Sequence, residues 1–133
     1  MREFHLQIAT PDGVKFDGSA ESLLIKCSEG DVEILAGHAD LISALGIGRA
    51  RVKAGGKSRV ASVSGGFISV SKERVEVVAT TFEYADEIDT ARAEAAKEKA
   101  EAAIRNAKNA TEIEQAKLKL MRAVNRINVS ELK

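Results

Sequence analysis

Residues able to ligate a metal, attack a carbonyl or shuttle a proton are few and scattered in this chain of 133 residues. The two histidines, His5 and His38, lie far apart and lack the spacing of a metal motif. His38 follows Gly37 in a turn after Ile34-Leu35 and reads as a surface or partner-contact histidine rather than a catalytic one. Cys27 is the sole cysteine, which excludes an intrachain disulfide and a multi-cysteine metal site within one chain. Beside Leu24, Ile25 and Lys26 it reads as a small core residue of a strand. Ser64-Gly65-Gly66-Phe67 is glycine-rich but has neither the spacing nor the lysine of a phosphate loop, and a strand pattern follows it. A tight bend or bulge is the better reading. No nucleophile-elbow pattern supports a Ser/His/Asp arrangement. Directed charge occurs in one place. Lys117, Lys119, Arg122 and Arg126 follow one another with no acid between Gln115 and Val129. Arg122 and Arg126, four apart, share a helix face. Such a basic stripe is either a solvated face or a surface for an acidic protein segment or a phosphate group.

The elements that must position these residues change character near residue 85. All ten glycines and the one proline precede Phe67. Phe4, Leu6 and Ile8 alternate with His5 and Gln7, placing three apolar side chains on one sheet face. Thr10-Pro11-Asp12-Gly13 is a turn, with proline presetting φ and glycine accepting positive φ. Val14 to Phe16, Ser22 to Cys27 and Val32 to Leu35 are further short strands. Gly55-Gly56 between Arg51-Val52-Lys53-Ala54 and Arg59 to Val63 signals a hairpin. Phe67 to Val70 and Val75 to Ala79 complete the series. Many short strands with frequent turns predict an all-β sandwich over residues 1–84.

From Asp86 onward there is neither glycine nor proline, and Ala, Glu, Lys and Leu dominate. Asp86, Glu87 and Asp89 suit a helix N-terminus. Ala91, Ala95, Ala96, Ala102 and Ala103 form a small-residue stripe. Thr111-Glu112-Ile113-Glu114 fits a capping box for a second helix, with 106–110 as the link. Ile113, Leu120, Val124 and Ile127 recur at helical spacing. Residues 87–131 are therefore expected to form an α-helical antiparallel hairpin of two similar helices, a second domain after the sandwich. An alanine face buries little apolar area, so this hairpin should be weakly held and detachable.

Net charge is zero, with 20 basic and 20 acidic residues, which argues against a general nucleic-acid binder. No apolar run approaches the roughly 20 residues of a membrane-spanning helix. Met1 to Thr10 lacks a signal-peptide core, and a cytosolic compartment is the default expectation.

Taken in order, several segments resemble the epsilon subunit of the bacterial F-type ATP synthase. They are Thr10-Pro11-Asp12-Gly13, Gly30-Asp31-Val32-Glu33-Ile34-Leu35-Ala36-Gly37-His38-Ala39, Val63-Ser64-Gly65-Gly66-Phe67, Ile88-Asp89-Thr90-Ala91-Arg92-Ala93 and Met121-Arg122-Ala123-Val124-Asn125-Arg126. Ala36 stands where the family usually has proline. The resemblance implies a non-catalytic rotor and regulatory subunit of a proton-translocating machine. Its sandwich would link the gamma subunit to the c-subunit ring, through a turn at Glu29, Gly30 and Asp31 on the ring side and His38 on the gamma side. Its movable hairpin would meet the alpha and beta catalytic subunits through Lys117, Lys119, Arg122 and Arg126 and restrain ATP hydrolysis. Membrane attachment would come only through the complex, at the cytoplasmic face of the cell membrane. No cofactor is required. Some members bind ATP on the folded hairpin, and here Glu83, Ile88, Asp89, Arg92, Ala93, Arg122 and Arg126 match that site. Ala103 and Gln115 stand where strong binders carry arginine, and Lys99 also replaces one, so ATP is expected to be at most a weak regulatory ligand. The competing readings are a stand-alone adaptor and an ATP-responsive sensor.

Overall fold

A computed structural model describes residues 2–72 and 74–132. It divides into two compact units, one ending at Tyr84 and the next beginning at Ala85. The first holds seven strands: β1 (Phe4–Thr10), β2 (Gly13–Ala20), β3 (Ser22–Cys27), β4 (Gly30–Leu35), β5 (Leu41–Ala54), β6 (Lys57–Ser71) and β7 (Arg74–Tyr84). Their order is β2-β1-β7-β6-β5-β3-β4. Every pairing is antiparallel except β1 with β7.

Alternation along the strands decides which side chains go inside. Phe4, Leu6 and Ile8 of β1 are buried, as are Leu23, Ile25 and Cys27 of β3 and Val75, Val77 and Ala79 of β7. Phe16, Val32, Ala36 and Leu41 pack against this core. Tyr84 closes one end, with its ring edge-on to Phe82 at 5.3 Å and the Arg59 guanidinium 3.6 Å above its face. Its hydroxyl donates to the Lys15 carbonyl at 3.2 Å.

Two expectations about strands need correction. Arg59 to Val63 and Phe67 to Val70 belong to one strand, β6, which runs through Gly65-Gly66. The segment 41–50, to which the sequence pattern assigned no strand, is the first part of β5. The ladder between these two long strands is interrupted between Ala44↔Phe67 and Ile47↔Ser64. Gly65 and Gly66 take φ of +69° and +104° there, and a Cβ on Gly66 would collide with the Val78 carbonyl. Only glycine lets β6 bend this closely over β7, and the bend folds one sheet into the two layers of a sandwich. At the Gly55-Gly56 turn, with φ of +59° and +76°, both central residues are left-handed, as a two-residue hairpin turn requires.

The second unit opens with a 3-10 turn, Ala85–Glu87, followed by α1 (Thr90–Arg105) and α2 (Ala110–Ser130). The helices are unequal, at 16 and 21 residues. The second helix starts before the predicted capping box. Its N-cap is Asn109, whose Oδ1 accepts from the Glu112 N–H at 2.9 Å, while Glu112 Oε2 accepts from the Lys108 N–H at 2.7 Å. The reciprocal pair thus sits two residues upstream of Thr111-x-x-Glu114, because Asn at the N-cap competes better than Thr. The alanine stripe is also displaced. Ala91, Ala95, Ala96 and Ala103 are exposed and Ala102 only half-buried, whereas Ala93 and Ala100 of α1 and Ala116 and Ala123 of α2 are buried. Methyl-sized groups contribute about 0.8 kcal/mol each on burial, so these four supply about 3 kcal/mol in all.

Candidate functional site

The sequence motif at 88–93 folds as a helix start. Asp89 is the N-cap of α1, and its Oδ1 accepts from the Arg92 N–H at 3.1 Å. Ile88 precedes the cap and Ala93 lies four residues beyond it, the two positions of a hydrophobic staple, and both are buried. Ile88-Asp89-x-x-Arg92-Ala93 therefore has a local structural reason, the positioning of the first turn of α1.

Between the two helices lies a groove of about 270 Å³ lined by Ala96, Lys99, Ala100 and Ala103 of α1 and Lys119, Arg122, Ala123 and Arg126 of α2. Antiparallel packing produces it, since low-numbered residues of α1 face high-numbered residues of α2. The alanines form an apolar floor because their side chains end at Cβ, and the longer cationic side chains form the walls. Four positive charges around such a floor can hold a polyanion through charge-assisted hydrogen bonds, with the arginines able to present planar forks. Arg122 and Arg126 each already have an interaction partner in the chain, so an incoming anion would compete for them. A second cavity of about 300 Å³ adjoins the first toward the interhelical link, sharing Ala103 and Lys119 and adding Asn106, Ala107, Glu112, Gln115 and Ala116.

Of the residues named from the sequence, the groove gathers Arg122, Arg126 and Lys119. Lys117 does not line it, being two residues from Lys119 and so about 200° around the helix. The four-residue basic stripe is therefore a three-residue wall plus one cation on another face. Ile88, Asp89, Arg92 and Ala93 do not line the groove either, and Glu83 lies in β7. Lys99 and Ala103, named from the sequence only as positions where strong binders carry arginine, line it too, whereas Ala96, Ala100 and Ala123 were not named as site residues. The common face of Lys99 with Ala96 and Ala103, at steps of three and four, was the available signal.

In the first unit, Glu29 is exposed at the tip of the β3–β4 hairpin, directly before Gly30, whose φ is +133°. Asp31, also exposed, pairs with Lys26 across the strands. His38 is half-buried and its Nδ1 lies 2.7 Å from the Ala39 carbonyl oxygen. These residues are held in place by short backbone turns, and their side chains sit at the surface. Among the described residues, no helix is long and apolar enough to cross a membrane.

Both units match known family models. Residues 3–85 match the ATP synthase delta/epsilon chain β-sandwich domain, and residues 86–131 match the delta/epsilon long α-helix domain. An ATP synthase epsilon chain of Bacillus cytotoxicus is 39% identical over the whole length of both chains. One from Pediococcus pentosaceus is 42% identical over 95% of this chain and 94% of its own. The chain belongs to the ATP synthase epsilon chain family, whose members are non-catalytic subunits. A chain in the mitochondrial ATP synthase of Euglena gracilis (OSCP/F1/c-ring) shares the fold, with a TM-score of 0.83 at 23% identity, covering 98% of this chain and 82% of that one.

Proposed function

We propose that this chain is a central-stalk subunit of a proton-translocating F-type ATP synthase, joining gamma to the c-ring through its sandwich and restraining ATP hydrolysis through its hairpin. The observation that carries the regulatory part is the α1–α2 groove: cations concentrated on two helices held together by alanines. A contact whose fully buried positions are largely alanines is one that a partner surface can outbid. Opening the hairpin would present Lys119, Arg122 and Arg126 on a helix separated from α1 to an acidic segment of the catalytic subunits. The complex carries the chain to the cytoplasmic face of the membrane.

The test uses the assembled complex. Replacing Lys119, Arg122 and Arg126 together with alanine keeps helix propensity and removes the wall. Hydrolysis should rise, most of all at low salt, where screening is weakest. Replacing Lys117 alone should do less. Hydrolysis unchanged at every ionic strength would show that these cations only face solvent. A second reading, ATP as a weak regulatory ligand of the folded hairpin, is supported by the size and charge of the same groove.

A further inference from the structure

Three cations stand together on the outer face of the layer formed by β4, β3, β5 and β6. Cross-strand partners share a face, and the registers Glu33↔Leu24, Leu24↔Arg51 and Arg51↔Val60 define one row across four strands. Arg49 lies two residues along β5 from Arg51, and Lys26 two residues along β3 from Leu24, so both occupy the same face. Arg49 and Arg51 are exposed and Lys26 is half-buried. In the β3–β4 ladder Lys26 has Asp31 as its partner. Its stem nevertheless lies against β5. A Cβ on Gly48, the residue before Arg49, would lie 2.6 Å from Lys26 Cβ and Cγ, and one on Gly46 would lie 3.4 Å from Cγ. The register shift after Ile25 and the two glycines make that space.

Among the described residues, Lys26, Arg49 and Arg51 form no ion pair. The next cation along β5, Lys53, is held by Glu21 at 3.7 Å, and Glu21 also accepts from the Gly56 N–H at 2.9 Å. Like charges on neighbouring strands repel, yet here the fold brings Lys26 beside two arginines rather than to its cross-strand acid. An anion lying among them turns that repulsion into charge-assisted hydrogen bonding.

The surroundings choose the anion. On one flank β6 presents the uncharged Val60 and Ser62. On the other, β4 presents the exposed acids Asp31 and Glu33. An acidic ligand can therefore run along β5 and β6 but not across toward β4. Arg49 and Arg51 are roughly 7 Å apart, the repeat of alternate residues in an extended chain. Single-stranded nucleic acid binds on aromatic stacking platforms, whereas Phe82 and Tyr84 of this layer are buried and Arg59 covers the Tyr84 ring. An anionic membrane surface would be repelled by Asp31 and Glu33 on the same face. We propose that Lys26, Arg49 and Arg51 form a docking site for an acidic protein segment, extended along β5 with carboxylates on alternate residues. None of the three is among the residues named above for gamma, the c-ring or the hairpin, so the site goes beyond the central-stalk reading and is tested apart from it.

The test is NMR titration of the full-length, isotope-labelled chain with an acetylated, amidated peptide of four Glu-Thr repeats. Amide shifts at Leu24 to Lys26 and Arg49 to Arg51 should report binding that weakens with added salt. The isomeric peptide with its glutamates in one block should bind several-fold more weakly. Replacing Arg49→Gln and Arg51→Gln together should weaken binding about tenfold or more. Lys57→Gln, just past the Gly55-Gly56 turn and on the other face of the ladder, should bind like wild type. Thermal unfolding should be nearly unchanged in these variants, since the replaced side chains are exposed. Shifts confined to α1 and α2, or wild-type affinity in the double variant, overturn the proposal. Tighter binding at the same residues by a single-stranded oligonucleotide, or by vesicles rich in anionic lipid, would make that the occupant and overturn it as well.

Discussion

If the interhelical groove is a nucleotide seat short of cations, adding one should tighten binding. Ala103 is the position to change. It lines both cavities, faces Lys119 across the groove and is exposed, so an arginine fits without displacing core. Arginine is nearly as good a helix former as alanine. A charged hydrogen bond contributes about 1.5–3 kcal/mol, and the open groove favours the lower end. About 1.5 kcal/mol corresponds to about tenfold in affinity. The same change has a cost without ligand. A fifth cation at ~8 Å from a neighbour loses about 0.5 kcal/mol in water, less with salt. The Ala103→Arg chain should therefore melt slightly earlier than wild type when empty and later than wild type when saturated with ATP. Titration calorimetry reads the affinity directly, and helical circular dichroism with and without ATP reads the crossover. Adding Gln115→Arg, at the adjoining cavity, should extend the gain. Unchanged ATP affinity in a variant whose helical signal is intact would refute the reasoning, because the groove would then not be where phosphates go.

Two further predictions concern the scaffold. Gly66→Ala should destabilise the sandwich by at least about 3 kcal/mol, through the collision with the Val78 carbonyl and a φ of +104°. At roughly 4–8 °C per kcal/mol, β-sheet circular dichroism should show melting at least about 12 °C earlier, and a shift of a few degrees would mean the bend does not need glycine. Asp89→Ala should cost about 1 kcal/mol of helix stability, whereas Asp89→Asn should cost little, since asparagine caps as well as aspartate. Equal loss in both, by hydrogen exchange of the first turn of α1, would show that the charge matters and the cap does not.

Much of the fold was legible because local rules and tertiary packing agree. Period-two alternation at Phe4, Leu6 and Ile8 identified buried side chains, and the run from Asp86 onward, rich in Ala, Glu, Lys and Leu without glycine or proline, announced the helical unit. The misreadings have physical causes. β5 and β6 look interrupted because Gly46, Gly48, Gly65 and Gly66 punctuate them, yet pairing lapses only at the bend, between Ala44↔Phe67 and Ile47↔Ser64, and resumes on both sides of it. The alanine stripe was misplaced because alanines occupy nearly every face of α1, so composition fixes no phase. Burial of Ala93 and Ala100 depends on where α2 lies, which is non-local information. At the site, the cations of α2 were readable from charge alone. Lys99 joins them only through the pairing of the helices, and Lys117 leaves them by simple helical rotation.

The parallel pairing of β1 with β7 has a consequence for synthesis. β1, Phe4–Thr10, finds one neighbour at once in β2, but its other edge stays bare until Arg74–Tyr84 has left the ribosome. Until then Leu6 and Ile8 have no β7 layer to complete their burial, and β6 also lacks its outer partner. The sandwich thus closes at its middle, with the last strand as keystone, and the nascent chain spends most of its elongation with an open, apolar seam. A chain stalled before Arg74 should be a substrate for chaperones, while one stalled within the hairpin should already carry a finished sandwich.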